Sequence, residues 1–460
     1  MALPFVDRSS SAVPVQFVPE SRWRSWLKEQ TASSRAWIES TGVAGKAGDL
    51  AMLPGDNGKA AGAVLVLSAK PNLWDFGALA TRLPDGTWKL ASATDPVSPT
   101  DAAVAIGLGT WRFERYRSRK AKPVAKLVWP DGADKKRATA MIEALCLARD
   151  LITTPSSDMG PAELAAAAQS LAKQHGAKLK VIVGNDLLKQ NYPMVHAVGR
   201  ASARLPRLID LRWGNARHPK VTLVGKGVCF DTGGLDLKPA SGMLNMKKDM
   251  GGAATMMAVA AMVMAAKLPV RLRLLVPAVE NSVSGNAFRP LDVVPTRKGI
   301  TVEIGNTDAE GRLILCDALY EGASEKPMMM VDCATLTGAA RVALGTDLPA
   351  LFCNDDRLAD DLLAAGRAVN DPMWRLPLFA GYRRLLDSKV ADINNAPGVA
   401  FGGAITAALY LKEFVPDDVP WAHFDMMAWN NSSRPGRPEG GEAQAARAIF
   451  AAIEKRVGKK

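Results

Sequence analysis

From about residue 135 onward, short apolar or β-branched runs alternate with stretches whose apolar positions recur at helical spacing. Strand-like runs are read at 179–183, 194–199, 208–213, 221–224, 270–276 and 328–333, with a shorter one at 301–304. Helices are predicted over 250–266 and 310–323, between successive runs. A longer helix begins at Asp134-Lys135-Lys136, carries Met141, Leu145, Ala148, Leu151 and Ile152 on one face, and stops at Pro155. Another is predicted over 163–175, with Pro161 in its first turn. This alternation predicts an α/β domain with a central twisted, largely parallel sheet flanked by helices. Residues 1–134 differ. They hold short strand-like runs such as 63–67, and Gly107-Leu108-Gly109 predicts a turn into a strand at 111–113. A smaller N-terminal α/β domain with an oligomerisation or regulatory role is expected over 1–134, a linking helix over 135–155, and the reactive domain over 156–460.

Composition changes this picture little. A chain of 460 residues is too long for one core, so at least two domains are expected. The 48% hydrophobic and 23% charged content is that of a globular protein. Net charge is +12, which bears on steering and solubility rather than on chemistry. The basic run Arg112, Arg115, Arg117, Arg119, Lys120 and Lys122 is interleaved with Trp111, Phe113 and Tyr116. It reads as an edge strand with one solvated face in preference to a nucleic-acid contact. Cys146, Cys229, Cys316, Cys333 and Cys353 lie in apolar runs without CxxC pairing, so buried free thiols in a reducing, cytoplasmic setting are expected. The first residues lack the pattern of a signal peptide, and the most apolar stretch, about fourteen residues at 253–266, is too short to span a bilayer.

The chemistry concentrates in residues 306–313, Asn-Thr-Asp-Ala-Glu-Gly-Arg-Leu. Asp308, Glu310 and Arg312 sit at alternate positions, which in an extended segment would face one side. A second stretch, Val224-Gly225-Lys226-Gly227 through Phe230-Asp231-Thr232-Gly233-Gly234, leads to Lys238-Pro239 and then to Met246-Lys247-Lys248-Asp249-Met250. It fits neither the P-loop nor the dinucleotide-binding glycine spacing. Asp231, Asp249, Asp308 and Glu310 supply four carboxylates of the kind a divalent-cation site needs. None of the four histidines fits such a site: His175 lies on a polar helix, His196 and His218 flank strands, and His423 precedes Phe424-Asp425. Taken singly, each acid reads as a solvated charge or an ion pair.

Taken together, these motifs resemble the leucyl aminopeptidase family of cytosolic metallo-aminopeptidases. The likeness runs on through residues 332–339, 374–378, 391–393, 403–408 and 421–423, covers about 135–450, and is weak before that. It implies that Lys226, Asp231, Asp249 and Glu310 bind a tight divalent ion, Mn²⁺ or Zn²⁺. Asp231, Asp308 and Glu310 would bind a second, exchangeable one. A water between the ions would be the nucleophile, Lys238 would stabilise the developing oxyanion, and Arg312 would hold a bicarbonate acting as general base. Met246, Thr335 and Gly338 would line the pocket for the first side chain, suiting Leu or another apolar residue. The resemblance also implies peptide substrates with a free N-terminus, a homohexamer built as a dimer of trimers, and no membrane partner. Gly311 would let the backbone pass close to the anion. The chain departs from the commonest family pattern at Thr232, Lys248 and Gly251, and Lys248 adds a charge near the metals. Three other readings are kept: a nucleic-acid-binding regulator, a non-catalytic homologue and a different two-metal hydrolase.

Overall fold

The computed structural model describes residues 3–55, 58–91, 94–119 and 121–458; Met1, Ala2 and Lys120 lie outside them. Two compact units emerge, one formed by residues 1–146 and 431–439, the other by 147–430 and 440–460. The helix Lys135–Thr153 carries the chain from the first to the second. Its start is fixed by Asp134, whose carboxylate accepts the Arg137 amide at 2.9 Å.

The first unit holds a six-stranded sheet in the order Phe5–Val6, Lys126–Val128, Thr87–Leu90, Val13–Pro19, Ala60–Leu67, Leu50–Pro54. All pairs are parallel except the last, which is antiparallel. The expected strand at 111–113 is absent. The helix Pro99–Gly109 absorbs Gly107-Leu108-Gly109 instead. A Cβ on Gly109 would lie 1.6 Å from the Gly77 carbonyl oxygen, so this glycine serves close packing and not a turn. Residues 111–119 form an irregular loop, with Trp111 buried and Phe113 packed on Tyr116 at 5.9 Å.

The second unit is built on a nine-stranded sheet. Eight strands follow the order Trp374–Arg375, Ala350–Cys353, Trp421–Asp425, Met329–Ala334, Lys220–Gly225, Arg271–Asn281, Arg207–Trp213, Lys178–Val183. The ninth, Gly227–Asp231, pairs with Arg271–Asn281. The central four strands are parallel, and antiparallel pairs lie toward the edges. Burial follows from this arrangement. Met329–Ala334 and Trp421–Asp425 are buried at every position, because helices cover both faces, whereas the edge strand Lys178–Val183 alternates. Gly251–Ala265 and Glu310–Ala323 are among the covering helices, and nearly every residue of both is buried.

One apolar run has the opposite structure to that expected. Residues 194–199, read as a strand, belong to the helix Pro193–Gly199, and His196 sits within it. Pro193 occupies the first helical position. The buried Asp317 carboxylate accepts the amides of Met194 at 2.9 Å and Val195 at 3.4 Å. Those amides have no partner inside the helix, so a side chain from more than a hundred residues away completes its first turn.

Candidate metal centre

The site residues lie at the carboxyl ends of the parallel strands, where the backbone leaves the sheet and side chains converge from several loops. Lys226 interrupts the passage from Lys220–Gly225 to Gly227–Asp231. Its amide donates to the Cys333 carbonyl at 3.0 Å, and its own carbonyl accepts the Ala253 amide at 2.9 Å. Its backbone is thus held between a neighbouring strand and the start of the Gly251–Ala265 helix. The ammonium lies 2.7 Å from Asp249 Oδ2, 2.9 Å from Glu310 Oε1 and 3.1 Å from the Thr335 carbonyl. Burial opposes the charge, but Asp249, Glu310 and Asp231 outweigh it and hold the amine above the ordinary lysine range.

Asp231 ends its strand in register with Asn281, and the two side chains meet. Asp231 Oδ1 accepts the Asn281 amide group at 2.9 Å and the Gly233 amide at 2.9 Å. Its other oxygen lies 2.8 Å from Lys238 Nζ, which also pairs with Asp308. Asp249 accepts the Thr335 hydroxyl at 2.6 Å. Oxygens of Asp231, Asp308 and Glu310 lie within 4.8 Å of one another, while Asp249 joins the group through Lys226. Four carboxylates against two ammonium groups leave a formal charge of −2 in a largely buried cluster. Burial and then repulsion by Asp231 push Asp308 up to about 6 and Glu310 up to about 8. Lys226 and Lys238 oppose that rise without cancelling it.

The octapeptide is not extended. Residues 307–308 form a turn and Glu310 opens the helix Glu310–Ala323, so Asp308, Glu310 and Arg312 do not share a strand face. The side chains still converge, because the turn aims Asp308 and the first helical turn aims Glu310 and Arg312. Arg312 is buried. It donates to the Asn395 carbonyl at 2.7 Å, and its Nε has no hydrogen-bond partner among the described residues. Gly311 has a different role from the one expected. A Cβ there would lie 2.5 Å from Lys226 Cε and 2.7 Å from its Nζ, so the missing side chain makes room for that lysine.

Lys226, Asp231, Lys238, Met246, Asp249, Asp308, Arg312, Thr335 and Gly338 all line one cavity of about 470 Å³. Glu310 reaches it through Lys226. Several residues that shape the site carry no signal in the sequence. Asn395 accepts the amides of Gly305 at 2.8 Å and Asn306 at 3.2 Å, and donates to the carbonyls of Asn306 at 2.8 Å and Ala309 at 3.3 Å. Thr307 and Asp236 exchange hydrogen bonds, which ties the octapeptide to the loop after Asp231. Only the strand-end position of Asn281, next to Glu280, could have drawn notice. Lys248 is buried at the same cavity. Burial pulls its amine down to about 8, with Asp249 opposing and Arg341 adding to the shift.

Known proteins resemble this chain along most of its length. Residues 146–450 match the catalytic domain of the cytosol aminopeptidase family, and residues 13–130 match the M17 aminopeptidase N-terminal domain, where the sequence likeness had been weak. A probable cytosol aminopeptidase of Rhodococcus jostii (strain RHA1) is 39% identical over 446 residues, covering 91% of this chain and 88% of the relative. The solved structure of a cytosol aminopeptidase from Coxiella burnetii superposes with a TM-score of 0.94 at 48% identity, covering 98% of this chain and 99% of that one. The bottromycin maturation enzyme BotP in complex with Mn superposes with a TM-score of 0.87 at 34% identity, covering 97% and 100%.

Proposed function

The chain belongs to the M17 cytosol aminopeptidase family, and from that premise we propose that its acidic cavity holds two divalent cations and takes the free N-terminus of a peptide. It is a metal-dependent aminopeptidase, a hydrolase that removes N-terminal residues. The donor set fits hard or borderline divalent ions: four carboxylates, three of them with oxygens within 4.8 Å of one another. Burial and repulsion by Asp231 push Glu310 and Asp308 upward, so positive charge placed between these carboxylates would be favoured. Asp231, Asp249 and Glu310 would hold one ion together with Lys226, whose amine would bind only after the incoming charge strips its proton, and Asp231, Asp308 and Glu310 the other. The Mn in BotP makes Mn²⁺ the first ion to test.

Bound divalent ions would supply Lewis acidity, lowering the pKa of water and polarising a carbonyl. The chain's own residues account for the rest. Asp231 and Asp308 would orient the substrate amine. Lys238, once cations take over its two carboxylates, would turn its ammonium to the carbonyl oxygen where negative charge develops. Arg312 would hold an anion such as bicarbonate to carry the proton to the leaving amine. The support is its buried guanidinium, whose Nε has no partner and which ion-pairs with no carboxylate among the described residues. Met246, Thr335 and Gly338 would bound the first side chain. An apolar residue such as Leu is the family expectation there.

Family membership is also the ground for proposing a homohexamer. A cytoplasmic location accords with five buried cysteines outside any disulfide among the described residues, and no described helix is long and apolar enough to cross a membrane. The observation that carries the reading is the convergence of Asp231 and Asp308 with Lys238 and Arg312 at one cavity, with Glu310 grouped behind them. The test is release of the first residue from aminoacyl amides, with chelation and Mn²⁺ or Zn²⁺ restoration. Activity should vanish on chelation and return with metal, and N-acetylated substrates should resist. Lys238→Ala should cost about 10²–10³ in kcat. Metal-independent release, or a Lys238→Ala rate within a few-fold of the parent, would remove these assignments.

A further inference from the structure

Beside the carboxylates Asp231, Asp249 and Asp308 and the cations Lys226, Lys238 and Arg312, the cavity is lined by two further cations, Lys248 and Arg341. Lys248 lies between Met246 and Asp249 on the turn Met246–Met250 and is only 3% exposed. Arg341 lies in the last turn of the short helix Gly338–Leu344. A Cβ built on Gly338 would be 3.6 Å from Arg341 Nη2, so the guanidinium stands beside a proposed wall of the first-side-chain pocket.

Neither cation has an acidic partner among the described residues. The one polar contact of the Arg341 side chain is to the Met427 thioether, at 3.6 Å. The nearest acids are engaged elsewhere. Asp249 faces Lys226 and the Thr335 hydroxyl. Asp425 accepts the amides of Leu336 at 3.0 Å and Thr337 at 3.1 Å, and the Thr337 hydroxyl at 2.6 Å. A buried, unpaired ammonium beside a guanidinium is costly to the fold, and the cost falls when an anion enters.

We propose that this enzyme selects an acidic first residue, Asp or Glu, whose side-chain carboxylate is received by Lys248 and Arg341. The proposal rests on the aminopeptidase reading of the cavity. An N-terminal Glu or Asp carries a free amine at one end and a carboxylate at the other. Its amine would face the carboxylates, and its side-chain carboxylate would face the two lining cations that no described carboxylate pairs. A leucine would leave both cations desolvated and unpaired. Lys248 and Arg341 are thus specificity-determining residues, and Met246 and Gly338 bound the space through which the acidic side chain passes.

The test uses the full chain loaded with Mn²⁺ and fluorogenic aminoacyl amides of Glu, Asp, Gln, Leu and Met. Glu against Gln isolates the charge at constant shape. The expected result is a kcat/KM for Glu at least about tenfold above Gln and Leu, the equivalent of about 1.4 kcal/mol. Lys248→Met and Arg341→Leu should each lower the Glu-to-Gln ratio by about tenfold or more, with Arg341→Lys in between. Where a variant fails to fold, free L-Glu should still inhibit the parent enzyme more strongly than free L-Gln. Leu or Gln equal to or above Glu in the parent, or a ratio unmoved in both variants, overturns the proposal and leaves the aminopeptidase reading intact. A preference confined to the C-terminal carboxylate, Leu-Gly over Leu-Gly amide with Glu and Gln amides equal, also overturns it. No metal-dependent release from any substrate removes the aminopeptidase reading, and this proposal falls with it.

Discussion

Gly311→Ala is a substitution whose sign the site reverses. Near the start of a helix, replacing glycine by alanine ordinarily stabilises, by up to about 1 kcal/mol. Here the added Cβ would lie 2.5 Å from Lys226 Cε, 2.7 Å from Nζ and 2.9 Å from Cδ, against an ordinary carbon contact of about 3.5–4.0 Å. Lys226 must retreat by about 1 Å. It cannot do so freely, because its ammonium is buried and lies 2.7 Å from Asp249 and 2.9 Å from Glu310. At an effective dielectric of about 20, lengthening the Asp249 contact by about 1 Å forfeits roughly 1.5 kcal/mol, while Glu310, pushed up to about 8, adds less near neutral pH. Offset by the helix gain, the net loss is roughly 1 kcal/mol, which lowers the melting temperature by a few degrees. Thermal unfolding measures that part. Titrating Mn²⁺ into chelated protein while following aminoacyl-amide hydrolysis measures the second, since a displaced Lys226 should raise the Mn²⁺ midpoint about tenfold or more. An alanine variant as stable as the parent, with an unchanged midpoint, would show that Lys226 is neither wedged against Gly311 nor coupled to metal binding.

Two further outcomes are expected. Asn395→Ala removes four hydrogen bonds from the backbone of Gly305 and the octapeptide, and leaves the amides of Gly305 and Asn306 without their side-chain acceptor. Stability should fall by about 1–3 kcal/mol, and hydrogen exchange at those two amides should accelerate; unchanged exchange would refute the clamp. The third concerns pH. Burial pushes the Asp317 carboxyl up to about 7, although the amides of Arg297, Met194 and Val195 donate to it. Its folded pKa exceeds its unfolded one, so its contribution is fully present below about pH 4 and is lost as pH rises through about 7. The melting temperature of the parent relative to Asp317→Asn should therefore decline between pH 5 and 8, and a flat difference would refute the shift.

Much of the second unit could be read from the chain, because its elements are specified locally. Met329–Ala334 and Trp421–Asp425 are buried on both faces and carry mostly apolar runs. Glu310–Ala323 has its bounds within the predicted helix. Where neighbours decide, the pattern fails. Residues 194–199 have a strand's composition and form a helix because Pro193 starts it and Asp317 takes its free amides. Gly107-Leu108-Gly109 carries turn residues and ends a helix because the backbone at Gly77 leaves no room for a side chain.

Local sequence sufficed for the family likeness, the α/β architecture and the candidate list Lys226, Asp231, Lys238, Asp249, Asp308, Glu310 and Arg312, because each lies in a motif whose members are near one another in the chain. Tertiary structure alone decided how those groups face one another. Asn281 reaches Asp231 by strand register, and Asn395 holds the octapeptide from a distant loop. Gly311 is fixed by Lys226, far away along the chain. That Lys248 and Arg341 line the same cavity belongs to the same class. Charge in a buried site is set by three-dimensional neighbours and by the water they exclude, and neither is written in local sequence.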